Sequence, residues 1–554
     1  MLAGATSTVT GSDTGSGPSC HIVLIRPPAV ASRHAYSTAI VPPLGPAYVA
    51  AALEAAGHRV TAIDALGEAP FARHASAHPL LIANGLTIAE VVDRIPGDAQ
   101  GIGLSVMFSQ QWPHVAAMVR AIHARFPHVP IFVGGEHATA TWKHLLETCP
   151  EVMLCVLGEG EETAVDVAAW LAGQQSLTDI PGIAYRRDGT PCSNGLRQRI
   201  RAIDEIPRPA WHLFPLENYL SNGFGHGVHR GRSIPMLATR GCPYRCTFCS
   251  SPDMWTTRYH ARKVSSVVDE ISDYVERYRI TNIDFEDLTL IIDRTWILEF
   301  CAEIERRGLK ITYQFPSGTR SEALDADVLA AMSRSGCSNL TYAPESGAPR
   351  TLKAIKKKVH PARVLESMRL AKQLGVNVKA NLMIGFPDER RRDLLRTLAF
   401  GLRAAWIGVD DIPLFPFSPY PGTGLYDELR AGGSVPPPDD DYFARLGYMD
   451  MTHTTSLSRH IGTKELNLYR ILGMSAFYAL GYARRPWRIW RTLRNVRADR
   501  SETVLEQRLV ESRRRRARRR TQAPADQRVP TSPAHWNRPL GAATIARPAA
   551  RRTV

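Results

Sequence analysis

From residue 20 to about residue 420 the chain alternates short apolar runs with helix-patterned stretches, and this alternation leaves few architectures open. Strands joined by helical crossovers lie parallel, because each crossover carries the chain back to the edge of the sheet where it began. A first series of strands is predicted at 21–25, 59–63, 101–106, 130–134 and 152–156, with a helix over 45–56 that Gly57 stops. This is the pattern of a doubly wound, Rossmann-like α/β domain, assigned to residues 20–175. A second series is predicted at 236–240, 282–285, 311–315, 339–342, 376–383 and 412–415. Six strands, each followed by a helical segment, predict a partial (β/α)6 barrel of the TIM type over 231–435, with its chemistry at the carboxyl ends of the strands.

At 554 residues the chain exceeds what one hydrophobic core supports. Residues 1–19 read as a flexible leader and 176–230, with several Pro and Gly, as a connector. Residues 436–500 read as a helical C-terminal domain and 501–554 as a disordered, Arg-rich basic tail. The net charge of +15 resides in that last part. From Arg484 to the C-terminus there are 20 Arg and 5 acidic residues, and the rest of the chain is neutral. A neutral body argues against nucleic acid as the partner of the catalytic domains. The first 19 residues lack a basic stretch followed by an apolar core, and no apolar run reaches the length of a membrane span, so a cytoplasmic location is predicted.

Nine cysteines occur, and three of them crowd into one loop after a predicted strand: Cys242, Cys246 and Cys249, spaced C-x3-C-x2-C. In a chain without secretory features such crowding points to metal or redox chemistry rather than disulfides. Thiolates are the ligands of iron–sulfur clusters, and three of them on a four-iron cluster leave one iron open to a small chelating molecule. Structural zinc wants four ligands, often from two C-x2-C pairs, and no second pair exists here.

The loop resembles the CxxxCxΦC signature of the radical S-adenosylmethionine (SAM) superfamily, with Phe248 as the aromatic residue before the last Cys. The resemblance implies a [4Fe–4S] cluster on Cys242, Cys246 and Cys249, with SAM on the open iron. It also implies cleavage of SAM to a 5′-deoxyadenosyl radical that abstracts hydrogen from substrate. Glu286 and Asp287, after the second barrel strand, match the place where the family receives the SAM amino group. Glu345 and Ser346 resemble the stretch near the SAM ribose. The segment around Gly385 (IGFPDE) resembles the family's IGFPGE, expected near adenine, with Asp388 in place of the usual Gly.

Three glycine-bearing turns mark the first domain: Pro43 and Gly45 in PPLG, Gly134, Gly135 and His137 in VGGEHAT, and Gly158 and Glu159 in GEGE. Glycines there either permit tight turns or let backbone amides approach a ligand. Ahead of a radical SAM core these motifs resemble the cobalamin-binding domain of the B12-dependent radical SAM class. The motif D-x-H-x-x-G, which supplies an axial His elsewhere, is absent, so His137 reads as a pocket or turn residue. The resemblance implies a methyltransferase in which methylcobalamin gives its methyl group to a substrate carbon radical. The substrate would be a small molecule, a natural product or a lipid-like compound, and the electron donor a flavodoxin or ferredoxin.

Three other outcomes stand beside this one. One is an oxidative cyclase resembling the anaerobic magnesium-protoporphyrin ester cyclases, and one is an RNA methylthiotransferase. The last is a cobalamin-sensing module with an inert barrel. Residues 463–497, basic and rich in aromatics, predict helices that cover the barrel mouth, lie on a membrane surface or stay bare in solvent. The oligomeric state is not legible.

Overall fold

The computed structural model describes residues 19–35, 40–447, 450 and 455–521. The leader and the last 33 residues of the tail therefore lie outside the described residues, apart from Ser19. In the N-terminal domain the strands run, across the sheet, Thr190–Ser193, Ile183–Arg187, Val152–Val156, Ile131–Gly134, Gly101–Ser105, His21–Arg26 and Arg59–Asp64. The last five are mutually parallel. His21–Arg26 is buried along almost its whole length, which its continuous apolar run requires of a strand covered on both faces. The chain reverses its direction of travel between His21–Arg26 and Gly101–Ser105, the point at which open sheets of this kind bind ligands.

The sheet does not close at residue 175. Ile183–Arg187 and Thr190–Ser193 form a hairpin that adds two antiparallel strands. Its turn is Asp188-Gly189, a dipeptide suited to two-residue hairpin loops. The stretch predicted as a connector is thus partly sheet. Its remainder is also structural: Trp211 is 1% exposed and sits in one apolar cluster with Leu53 of the first domain and Ile283 of the barrel. The Trp211 indole N–H donates to the Tyr274 hydroxyl at 3.2 Å.

The barrel has six parallel strands in chain order, Ser233–Met236, Asn282–Phe285, Thr312–Thr319, Cys337–Glu345, Asn377–Ile384 and Leu414–Pro416. The predicted first strand, 236–240, is split. Only Ser233–Met236 joins the barrel, and Thr239–Arg240 pairs antiparallel with His260–Ala261. Residues alternate along Asn377–Ile384, with Asn377, Lys379, Asn381 and Met383 half-buried and Val378, Ala380, Leu382 and Ile384 buried. One face of the strand therefore opens toward the lumen while the other packs on helices.

Helices Thr463–Arg484 and Trp487–Arg497 follow as predicted. The tail differs from prediction at its start, where Val504–Thr521 is a helix. Its first turn is anchored: the Val504 N–H donates to Asp411 Oδ2 at 2.7 Å, and the fully buried Glu506 accepts from Thr492 at 3.0 Å and Asn495 at 2.9 Å. An Arg-rich composition overlooked these few residues that tie the helix down. No helix among the described residues is long and apolar enough to cross a membrane.

Candidate active site

The cysteine loop begins where strand pairing ends. After Arg240 the chain turns at Gly241 with φ of 88°, and a Cβ there would stand 2.0 Å from the Arg258 carbonyl oxygen. Only glycine fits. Cys246 is buried, Cys242 and Cys249 are half-buried, and all three are free. The Cys249 N–H donates to the Cys246 carbonyl at 3.2 Å, folding the C-x2-C half into a turn. Burial pushes the Cys249 thiol up to about 12, and Cys246 and Cys242 are near enough to add to the shift. Burial also raises Cys246, while Lys357 and Arg320 pull it the other way. Three crowded thiols ionise here when a metal centre takes up their charge. Among the described residues no three His, Cys, Asp or Glu side chains converge on one ion position.

Two loops of the N-terminal domain brace this one. In the GEGE turn, Glu159 and Glu161 are both buried and grip Arg240, at 3.2 Å and 2.5 Å. Arg240 also lies 5.1 Å from the centroid of the Tyr48 ring. Glu159 takes a second cation, Arg199, at 2.8 Å. In the VGGEHAT turn, Glu136 accepts from the Ser250 hydroxyl, directly after Cys249. Thr139 joins the two turns, accepting from the Gly158 N–H at 3.0 Å and donating to the Gly135 carbonyl at 3.0 Å. Glu159, predicted to face a cofactor, instead has its carboxylate filled by two guanidinium groups.

The predicted SAM-facing residues divide. Glu286 is half-buried; its Oε2 accepts from His226 at 2.7 Å, and its buried Oε1 has no partner among the described residues. A carboxylate oxygen left open at a strand end suits an ammonium group. Asp287 differs from prediction. Its carboxylate already receives the Thr239 N–H and hydroxyl, each at 2.5 Å, and the Ala238 N–H at 3.2 Å, and so shapes the entry to the cysteine loop. Ser346 is likewise engaged, with Thr397 at 2.8 Å and the Ala348 N–H at 3.1 Å. Glu345 has a positive φ of 62° and pairs with Lys357 at 3.0 Å. Strained backbone of that kind collects at functional sites. Phe248 meets Phe386 edge to face with centroids 6.0 Å apart, and the Gly385 N–H donates to Glu389 at 2.6 Å.

In the first domain Pro43 is buried at the start of helix Leu44–Ala55, and Gly45 is exposed with open space around it. Gly134 and Gly135 end the fourth parallel strand, and a Cβ on Gly135 would come within 2.7 Å of the Val106 carbonyl oxygen. His137 is turned into the core. It meets Ser109 Oγ at 2.9 Å and the Phe443 ring at 4.9 Å, and burial lowers its pKa to about 3. At the reversal point Met107 and Phe108 follow strand Gly101–Ser105 and stand 54% and 52% exposed.

Comparison with known proteins agrees with this geometry. The Radical SAM superfamily profile matches residues 236–401, and the B12 binding domain profile matches residues 34–168. The two occur in one chain, in the order of the two sheets. The chain belongs to the cobalamin-dependent radical SAM enzymes. Its cofactors are a [4Fe–4S] cluster, SAM and cobalamin.

Among relatives of this B12-dependent enzyme, an uncharacterised methyltransferase of Pyrococcus horikoshii is 29% identical over 73% of this chain and 82% of its own length. Cytidylyl-2-hydroxyethylphosphonate methyltransferase of Streptomyces wedmorensis is 28% identical over 76% of this chain and 84% of its own. An anaerobic magnesium-protoporphyrin IX monomethyl ester cyclase of Cereibacter sphaeroides is 30% identical over 55% of this chain and 49% of its own. The solved structure of the radical SAM methyltransferase TsrM of Kitasatospora setae, with cobalamin and [4Fe–4S] cluster bound, shares the fold. Its TM-score is 0.58, with 17% identity, 76% of this chain and 80% of that chain covered.

Sequence reasoning on this radical SAM enzyme missed Arg240, Glu136, His226 and Lys357, because no local pattern marks a residue whose partner is remote. Met107 and Phe108 did carry a signal, an apolar pair just past a parallel strand at the reversal point.

Proposed function

We propose that this chain is a methyltransferase acting on an unactivated carbon of a small-molecule, natural-product or lipid-like substrate. The observation that carries this reading is the bracing of the cysteine loop by both glycine turns of the B12-binding domain. The two cofactor regions then face each other across one interface, as methyl transfer to a carbon radical requires. Cys242, Cys246 and Cys249 would hold the cluster. Glu286 would accept the SAM ammonium group, with the Lys357–Glu345 pair and the Gly385 turn nearby. Gly135, Gly158, Met107 and Phe108 would border the corrin. When bound, the cluster with SAM supplies one-electron cleavage chemistry and cobalamin a transferable methyl group. The protein's own residues do the rest: Arg240 and Ser250 fix the loop, Lys357 and Arg320 favour thiolates, and the apolar Phe248–Phe386 contact excludes water. A flavodoxin or ferredoxin would supply electrons, and the protein would act in the cytoplasm.

The test is anaerobic reconstitution with iron, sulfide and hydroxocobalamin, followed by incubation with methyl-labelled SAM and candidate substrates. Iron–sulfur absorbance, bound corrin and label in the product support the reading. A Cys242→Ala/Cys246→Ala/Cys249→Ala variant should keep the corrin and lose the cluster. An unlabelled, ring-closed product would replace methyl transfer with cyclase chemistry.

A further inference from the structure

Of the eighteen large apolar side chains that stand exposed among the described residues, ten lie on three helices, one of the barrel and two of the C-terminal region. On Arg391–Ile407, Leu395, Leu402 and Trp406 fall on one outward stripe. Leu468 and Leu472 do the same on Thr463–Arg484, which packs beside it. Arg484 links the two, its guanidinium lying 4.1 Å from the Trp406 ring centroid.

The third helix, Trp487–Arg497, is inside out. It buries Arg488, Thr492 and Asn495, and leaves Trp487 at 63% and Trp490 at 74% exposure. The buried polar set finds its main partners within the protein, with Arg488 on Asp410 at 3.0 Å and Thr492 and Asn495 on Glu506. Thr463–Arg484 turns apolar residues both ways, burying Leu466 and Phe477 in the core. Arg470 is 1% exposed and donates to the Leu414 carbonyl at 2.9 Å, while Leu468 and Leu472 stand 55% and 54% exposed. A helix folded for water sorts its residues the other way. The inverted helix, with the exposed leucines of the helix before it, presents a face built for an apolar medium.

The rim identifies that medium. Arg403, Arg494 and Arg497 are exposed around the stripe, and from Arg484 onward the chain holds 20 Arg against 5 acidic residues. Two copies meeting through this face would bring two such positive fields together, which opposes self-association. Tryptophan and arginine flanking a shallow apolar stripe match the interface of a bilayer, where indoles sit at headgroup depth and guanidinium groups meet phosphates. No helix among the described residues crosses a membrane, so the contact is peripheral.

We propose that this face docks the enzyme on a membrane surface carrying anionic phospholipid headgroups. The inference does not depend on methyl transfer.

The test is flotation of the full chain with phosphatidylcholine vesicles, with and without phosphatidylglycerol, beside the neutral variant Leu472→Ser/Trp487→Ser/Trp490→Ser. The three positions are exposed, so circular dichroism should match the parent. The parent should bind the anionic vesicles and the variant about tenfold or more weakly. Brominated lipid should quench tryptophan emission in the parent. Equal binding of both proteins would assign attachment to the basic tail alone and overturn the proposal. So would absence of binding to either vesicle, or a parent dimer that the variant dissolves.

Discussion

Replacing Arg240 with methionine removes the guanidinium that joins the B12-binding domain to the cysteine loop, and the structure sets the size of the effect. Glu159 keeps Arg199 at 2.8 Å and the Ile200 N–H at 2.9 Å, so its loss is small. Glu161 gives up its ion-pair partner while it stays buried. Breaking a buried pair from one side costs about 3–5 kcal/mol. With Glu159 still satisfied, the lower end applies, or roughly a hundredfold in the equilibrium for opening the interface. Burial works to raise the Glu161 carboxyl, and Arg240 overrides it, holding the group below its ordinary 4.5. A depressed carboxyl stabilises the folded state above its unfolded value and loses that contribution as pH falls through the folded one. The deficit of the variant should therefore be full at pH 7 and shrink below about pH 4.5. Amide hydrogen exchange of residues 238–250 at neutral pH measures the local opening, and urea titration at neutral and acid pH measures the linkage. Exchange faster by less than tenfold, or a deficit that ignores pH, would refute the account. Adding Glu161→Gln should restore most of the loss.

Two further substitutions test local steric and electrostatic claims. Gly241→Ala should abolish stable cluster loading, because the Cβ meets the Arg258 carbonyl and φ is positive; iron content after reconstitution reads this out. Glu389→Gln should raise the melting temperature at pH 8 and leave it unchanged near pH 4. Burial raises Glu389 to about 7 against the Gly385 N–H, so folding favours the protonated form and stability falls as pH climbs from 4.5 to 7.

Much of the fold was legible because local pattern and tertiary role coincide. The strands His21–Arg26 and Asn282–Phe285 are short apolar runs between helical segments, and the structure places them within a residue of the sequence reading. Residues that serve a partner far along the chain were not legible. Asp287 reads as a strand-end acid, yet it is consumed by Ala238 and Thr239, almost fifty residues earlier. Residues 504–521 read as a charged tail, because composition cannot show that Glu506 meets Thr492 and Asn495.

The sequence by itself determined the parallel strands of the two sheets, the order of the two domains and the cysteine triad. These follow from periodicity and from spacing within one loop, both properties of neighbouring residues. Tertiary structure alone decided that the glycine turns hold Arg240 and Ser250 rather than only a ligand, and that Trp487–Arg497 faces outward with its apolar side. Such choices depend on which burial and charge pairings win once distant segments meet, and no local pattern records that competition.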